Sequence, residues 1–233
     1  EALIRWQHPE LGLLLPAAFL PGVENDVVGL ELGDWVIRTA LAQLSAWQGA
    51  GLQLPVSVNV GAYQLQQPAF ADRLAEMLDR HPEVEHCNLE VEVLESSAMR
   101  DIAKVAATLQ NCQAMGVRFA LDDFGTGYSS LTYLRRLQAE TIKIDRSFVI
   151  DMLDDADDLA IVNGIIGLAR AFGREVIAEG VETQAHGERL MALGCDQAQG
   201  YGVSRPMPAH EMPAWIGQWK ARPLWVAFEE ISP

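Results

Sequence analysis

Short β-like runs alternate with longer stretches of helical spacing from one end of the chain to the other, and that order limits the folds open to it. The runs are 1–6, 54–60, 88–94, 118–122, 141–145, 175–179 and 197–201. Between them apolar residues recur at helical intervals. Val28, Leu32, Trp35 and Val36 predict a long helix ending by Gly49 to Gly51, and Ile102, Val105, Leu109 and Cys112 a second before Gly116. Ile161, Ile165, Leu168 and Phe172 before Gly173, then Leu190 and Leu193 before Gly194, repeat the scheme. A βαβα order predicts parallel strands. The last polar positions of successive strands, Asn59, Glu92, Asp122, Lys143, Glu179 and Gln199, lie 33, 30, 21, 36 and 20 residues apart, room for one βα unit each. No low-complexity linker divides the 233 residues, and 208–220 reads as a closing helix with Trp215 and Trp219 on one side. The expectation is an α/β fold, a TIM-type (β/α) barrel, as one domain over 1–233.

Residues two apart on a strand share a face. Val56, Val58 and Val60 oppose Ser57 and Asn59; Val91 and Val93 oppose Glu90 and Glu92; Ile142 and Ile144 oppose Thr141, Lys143 and Asp145; Val176 and Ala178 oppose Glu175 and Glu179. In a barrel wrapped by helices the apolar side faces outward, so the polar side faces the axis. Glu1, Glu92, Asp122, Asp123 and Glu179 would then converge with Lys143, and Arg5 near it, as the nearby cations. Clustered buried carboxylates take up protons or bind cations. All-oxygen donors, with the Asn59 amide and without cysteine or grouped histidine, favour Mg2+ or Mn2+ over zinc. Asp122 and Asp123 precede a Gly-rich loop where the backbone can turn both carboxylates to one place, and one of them can bridge two ions about 3.5–4 Å apart. Such ions hold a phosphate and activate a water, so the pattern suits phosphodiester cleavage. Lys143 would stabilise negative charge on the water or the phosphoryl oxygens; Glu179 is open to three roles, metal ligand, water ligand or general base.

Charge and cysteine content narrow the partners. Seventeen basic against 32 acidic residues give a net −15, which repels an extended nucleic-acid backbone. Cys87, Cys112 and Cys195 are too scattered for a disulfide framework or a Cys-x-x-Cys metal site and are expected to be reduced, with a cytoplasmic setting. The most apolar stretch, Leu11 to Val23, is too short for a membrane span and is interrupted by Pro16 and Pro21. Asp151, Asp154, Asp155, Asp157 and Asp158 fit a helix start, where acids favour the dipole. Gly125 to Ser130 lacks the third glycine of a dinucleotide fingerprint. His8, His81, His86, His186 and His210 have no ligand spacing and are expected at the surface or in loops, and the tryptophans in helix packing, with Trp6 on the outward side of its strand.

Seven segments, EALIRW at the start, SVNV around Asn59, EVLE from Glu92, DDFGTGYSSL from Asp122, KIDRSFV from Lys143, AEGVET from Ala178 and QGYGVSRPMP from Gln199, resemble in order and spacing the signatures of the EAL-domain cyclic di-GMP phosphodiesterase family. The resemblance implies hydrolysis of cyclic di-GMP to linear pGpG by a metal-activated water held between two divalent cations on a TIM-type barrel. By position it assigns Glu1, Asn59, Glu92, Asp122, Asp123 and Glu179 to metal, Lys143, Glu179 and Glu182 to catalysis, and Leu3, Arg5 and Gln199 to substrate or the ordering of water and metal ligands. Glu95 matches the glutamate that holds the loop after Asp123, a loop that couples metal binding to dimerisation in this family, so a homodimer is implied. Leu94 stands where members usually have Thr.

The family barrel also has an antiparallel strand before its opening motif, which is absent here, so the chain is expected to be an N-terminally truncated piece of a longer multidomain protein, itself open to membrane anchoring. Two other readings remain. One is a receptor that binds cyclic di-GMP without cutting it. The other, from the residues alone, is an enolase-like barrel in which Lys143 takes a proton from a metal-bound carboxylate substrate, a reading that the side-by-side acids and the lack of a second base lysine oppose.

Overall fold

A computed structural model describes residues 1–98, 101–127 and 131–221. These fall into two compact units: residues within 1–121 and 129–140, and residues within 122–128 and 141–233.

In the first unit the opening residues depart from the single strand expected over 1–6. Ala2 makes one parallel bridge to Val58, its N–H donating to Ser57 O at 2.8 Å. The chain then leaves the strand, and the Arg5 guanidinium donates to the carbonyls of Leu3 and Ile4. Trp6–His8 (β1) and Gly12–Leu14 (β2) instead form an antiparallel hairpin. His8 Nδ1 accepts the N–H groups of Glu10 and Leu11 in its turn, Gly12 supplies φ of 73°, and Trp6 packs edge-on against His8 and Phe19.

The helix Val27–Gly49 (α1) starts at Asp26, whose carboxylate caps the N–H groups of Val28 and Gly29. Its buried stripe is Ile37, Ala40, Leu41, Leu44 and Trp47, not the stripe expected from Val28 and Trp35, both of which are exposed. The chain continues through Val56–Asn59 (β3), the short helix Ala62–Leu65 (α2), Phe70–Asp79 (α3), Leu89–Leu94 (β4), Glu95–Ala98 (α4), Ile102–Ala114 (α5), Arg118–Phe124 (β5) and Leu131–Leu137 (α6). β3 and β4 pair in parallel with Ser57 opposite Glu90 and Asn59 opposite Glu92. Val56, Val58, Leu89, Val91 and Val93 are buried, each contributing about 1.5–3 kcal/mol of transfer free energy. β5 gives 118–121 to this unit and 122–124 to the other.

The second unit continues with Thr141–Ile144 (β6), Arg146–Asp151 (α7), Ala156–Ala171 (α8), Glu175–Ala178 (β7), Gln184–Leu193 (α9), Gln197–Ala198 (β8) and Met212–Ala221 (α10). β6, β7 and β8 pair in parallel, and the hydrogen-bonded order β3-β4-β5-β6-β7-β8 follows the chain, as a (β/α) barrel requires. Asp155 caps α8 through the N–H groups of Asp157 and Asp158, which bears out the helix-start reading for these three, whereas Asp151 closes α7 and Asp154 lies in the turn between the helices. The buried side of α8 is Val162, Ile165, Ile166 and Ala169; of the expected stripe Ile165 is buried, Leu168 and Phe172 are half-buried and Ile161 is exposed. α9 ends on Gly194 at φ of 86°. Trp215 and Trp219 stack on α10 with centroids 5.2 Å apart. Cys112 and Cys195 are buried, Cys87 is exposed and all three are free. Among the described residues no helix is long and apolar enough to cross a membrane. Tyr128 to Ser130, the end of the Gly-rich segment, lie outside the described residues.

Candidate active site

In the second unit the charged residues gather toward the C-terminal ends of β5, β6 and β7. The Lys143 ammonium, on a side chain 1% exposed, lies 2.7 Å from Glu179 Oε1 and 3.1 Å from Asp122 Oδ1. Register explains the first contact: Lys143 pairs with Ile177, and the Glu179 N–H donates to Ile144 O at 3.2 Å just beyond the end of β7. One oxygen from each of Asp122, Asp123 and Glu179 lies within 4.8 Å of the other two.

Neighbouring strand residues ordinarily face opposite sides. Asp122 and Asp123 escape that rule because Asp123 takes a left-handed φ of 52°, followed by Gly125 at 105°. A left-handed conformation costs an L-residue about 1–2 kcal/mol, least for Asp and Asn. The strain turns both carboxylates to one place. Gly125 itself has no room for a Cβ, which would lie 2.9 Å from Phe148.

Crowding shows in the acidities. Burial, then the Asp122 charge and the hydrogen bond and charge of Asp145, push Asp123 up to about 6, with Lys143 opposing. Asp145 goes the other way. Burial pushes it up, but the Ser147 hydroxyl and N–H, the latter at 2.8 Å, together with Asp123, donate to it and hold it below the ordinary value. Asp123 thus ionises near pH 6 when no cation is present, above its ordinary carboxylate range. Four carboxylates against one buried lysine, with oxygen donors throughout, fit a hard divalent cation. Asp145 was not singled out among the sequence candidates; its signal was the Asp-x-Ser cap opening α7.

Glu182 and Gln199 lie in the loops that follow β7 and β8. Gln199 donates its N–H to Ala178 O at 2.8 Å and accepts the Val181 N–H at 3.0 Å, straddling Glu179 in the chain. Glu182 is exposed, and the backbone at Gly202 presses so closely that a Cβ there would lie 2.7 Å from the Glu182 carbonyl carbon.

The first unit brings together Glu1, Asn59 and Glu92. Asn59 Nδ2 donates to Glu1 Oε1 at 2.7 Å, and Glu92, 1% exposed, is the cross-strand partner of Asn59. Two pairs below, on the same face, the Ser57 hydroxyl donates to Glu90 Oε1 at 3.0 Å, and Arg118 lies 3.9 Å from Glu90 Oε2. Leu3 is exposed and Arg5 half-buried, its guanidinium turned to its own neighbouring carbonyls. Glu95 is buried at the start of α4, beside an exposed Leu94. His186, expected at the surface or in a loop, is buried in α9 and bonded at both ring nitrogens.

Comparison with known proteins places these residues in a wider setting. The EAL domain model matches residues 1–206. The bifunctional diguanylate cyclase/cyclic di-GMP phosphodiesterase MucR of Pseudomonas aeruginosa is 43% identical over 217 residues, covering 93% of this chain and 32% of MucR. Cyclic di-GMP phosphodiesterase NbdA of the same organism is 40% identical over 209 residues, covering 89% and 27%. The chain spans about a third of the length of the curated relatives it matches. A solved complex of the PaMucR phosphodiesterase with c-di-GMP matches with a TM-score of 0.86 at 43% identity, covering 91% of this chain and 85% of that one. The EAL domain of Mycobacterium smegmatis DcpA matches with a TM-score of 0.76 at 38% identity, covering 81% and 85%.

Proposed function

The chain belongs to the EAL-domain family, and from that premise we propose that it hydrolyses one phosphodiester bond of cyclic di-GMP, giving linear pGpG, with two divalent cations, Mg2+ or Mn2+. The observation that carries the reading is the buried ammonium of Lys143 between Asp122 and Glu179, with Asp123 turned into the same place at the cost of backbone strain. Relatives named as cyclic di-GMP phosphodiesterases support the substrate.

In the second unit Asp122, Asp123 and Glu179 are the proposed metal ligands. In the first, Glu1, Asn59 and Glu92 take the same role by their motif positions. Bound ions would supply neutralising charge and a water acidified toward neutral pH. The chain's own groups do the rest. Asp123, ionising near pH 6 on its own, would be held ionised at lower pH by a neighbouring cation, Asp145 stays ionised under the Ser147 donors, and the Lys143 ammonium presents a hydrogen bond to the oxygen on which charge develops. Glu182 and Gln199 order water and ligands, Arg5 contacts phosphate beside Leu3, and Glu95 supports the loop after Asp123. A homodimer acting in the cytoplasm completes the reading.

Incubation of the purified chain with Mn2+ and cyclic di-GMP, with products separated by anion-exchange chromatography, tests it. Linear pGpG should accumulate, stop with EDTA, and be lost in Lys143→Met and Glu179→Gln. Tight binding with no linear product would instead make the domain a receptor, which has no need of a lysine held between two ligands.

A further inference from the structure

We propose that His186 is a positioning residue, the side chain that locks the loop carrying Glu179 and Glu182 to the helix that follows Lys143; the inference deepens the function proposed above and rests on it. The ring is buried, and each nitrogen has a partner that can play only one part. The Thr183 backbone N–H, 3.2 Å from Nδ1, can only donate, and the Ile150 carbonyl oxygen, 3.0 Å from Nε2, can only accept. Nδ1 is therefore bare and Nε2 carries the proton, one neutral tautomer fixed from both sides. The Thr183 hydroxyl, 2.8 Å from Nδ1, donates to the same lone pair region and accepts the His186 N–H at 3.4 Å.

Half of this arrangement is a capping box, Thr at the N-cap and His where Glu or Gln ordinarily stands. The other half is not needed to cap a helix. The Nε2 bond reaches 36 residues back along the chain to Ile150 in α7, which opens at Arg146, three residues after the Lys143 that contacts Asp122 and Glu179. A cap made by Glu or Gln could stop at the Thr183 N–H; this ring goes on to tie it to a second element.

The loop between is short and fastened at its other end too. Glu179 donates its N–H to Ile144 O at 3.2 Å, and Gly180, at φ of 74°, lies against Arg146 so closely that a Cβ would come within 2.8 Å of the arginine Cβ. Thr183 follows Glu182 directly, so the strut through His186 sets where the Glu182 side chain begins. With both ends tied to α7 and the end of β6, Glu182 has little freedom to leave the place from which it orders water.

The test uses the whole chain with Mn2+ and cyclic di-GMP and four variants: His186→Ala, His186→Gln, Glu182→Gln and the double His186→Ala/Glu182→Gln. Glutamine offers a carbonyl acceptor and an amide donor on one planar group and should retain both bonds. His186→Ala is expected to lower kcat about tenfold with KM changed by less than about twofold, and this loss should shrink to under about twofold in the Glu182→Gln background, the non-additivity of residues acting as one unit. His186→Gln should recover kcat. Hydrogen–deuterium exchange supplies a readout independent of turnover: amides in 179–187 should exchange faster in His186→Ala, with those of β6 and α8 unchanged, and return in His186→Gln. Losses that simply add in the double variant, a glutamine variant as impaired as alanine, or unchanged exchange in 179–187 would each overturn the proposal. If the wild-type chain makes no pGpG, the proposed function fails on its own, and the exchange result still decides whether His186 holds the loop.

Discussion

Asp123 combines a strained backbone with a crowded carboxyl, and both consequences can be measured. Its pKa is raised from 3.8 to about 6, so the folded chain holds this proton more tightly than the unfolded chain does. Between about pH 4 and 6 the native state therefore binds more protons, and stability from this group falls as pH rises through that window, the penalty being complete above it. Asp145 has the opposite sign: its contribution is present above the ordinary carboxylate value and is lost only at lower pH, as its depressed folded value is crossed. In EDTA, Tm should drop between pH 4.5 and 7, and Asp123→Asn should flatten that slope. Mn2+ should raise Tm at pH 7 far more than at pH 4.5, because loading must displace the proton. A wild-type slope matching that of Asp123→Asn would remove Asp123 as the cause. Lys143 is the complement. Removing it leaves Asp122 and Glu179 facing each other with side chains only 10% and 14% exposed, a loss of about 3–5 kcal/mol on the pattern of broken buried ion pairs. Lys143→Met should be inactive and unfold at lower urea in EDTA, with the deficit narrowed by Mn2+.

The loops after β7 and β8 hold Glu179, Glu182 and Gln199 through glycine, and α8 offers a control remote from that device. Gly180→Ala forces a left-handed residue, costing about 1–2 kcal/mol before the contact with Arg146 is counted, and should lower both Tm and kcat. Asp155→Ala removes the α8 cap, costing about 0.5–2 kcal/mol, and should lower Tm with kcat unchanged. If the two variants lose activity alike, the loss reports general stability and not the loop. Strands were legible because period-two alternation is local: Val58 and Asn59, or Ile142 and Lys143, declare opposite faces whatever surrounds them. Helix stripes were less so, since Val28, Trp35 and Ile161 are apolar yet exposed, and which arc of a helix meets the sheet is settled by packing, not by the helix itself. The β1–β2 hairpin was hidden because its turn depends on His8 accepting two backbone donors. The acids and amides Asn59, Glu92, Asp122, Glu179 and Gln199 were legible because they stand at strand ends, where position implies direction. The left-handed turn at Asp123 and the two-ended hydrogen bonding of His186 needed coordinates, as each depends on partners distant in sequence.

The chain carries a net charge of −15, and its proposed substrate carries two phosphodiester groups and so two negative charges. Approach from bulk solution is therefore opposed by the field of the whole molecule, whereas the final contacts are made where cations would sit. These two effects act over different distances. The Debye length is about 8 Å at physiological ionic strength and about 30 Å at 0.01 M, so added salt weakens the distant repulsion first and touches the short-range attraction least. With Mn2+ saturating, kcat/KM should rise between 10 and 150 mM NaCl, by about twofold to tenfold, while kcat stays level. Basic nucleic-acid binders show the reverse, losing affinity as salt rises. Asp151, Asp154, Asp157 and Asp158 provide a direct check, for they lie outside the proposed site and are solvent-exposed or nearly so, apart from the capping Asp155. Changing those four to Asn should raise kcat/KM at 10 mM NaCl and leave it indistinguishable from wild type at 150 mM. A kcat/KM that falls with salt in both proteins would mean that the loaded site's own positive potential governs capture, and that the acidic exterior has no part in it.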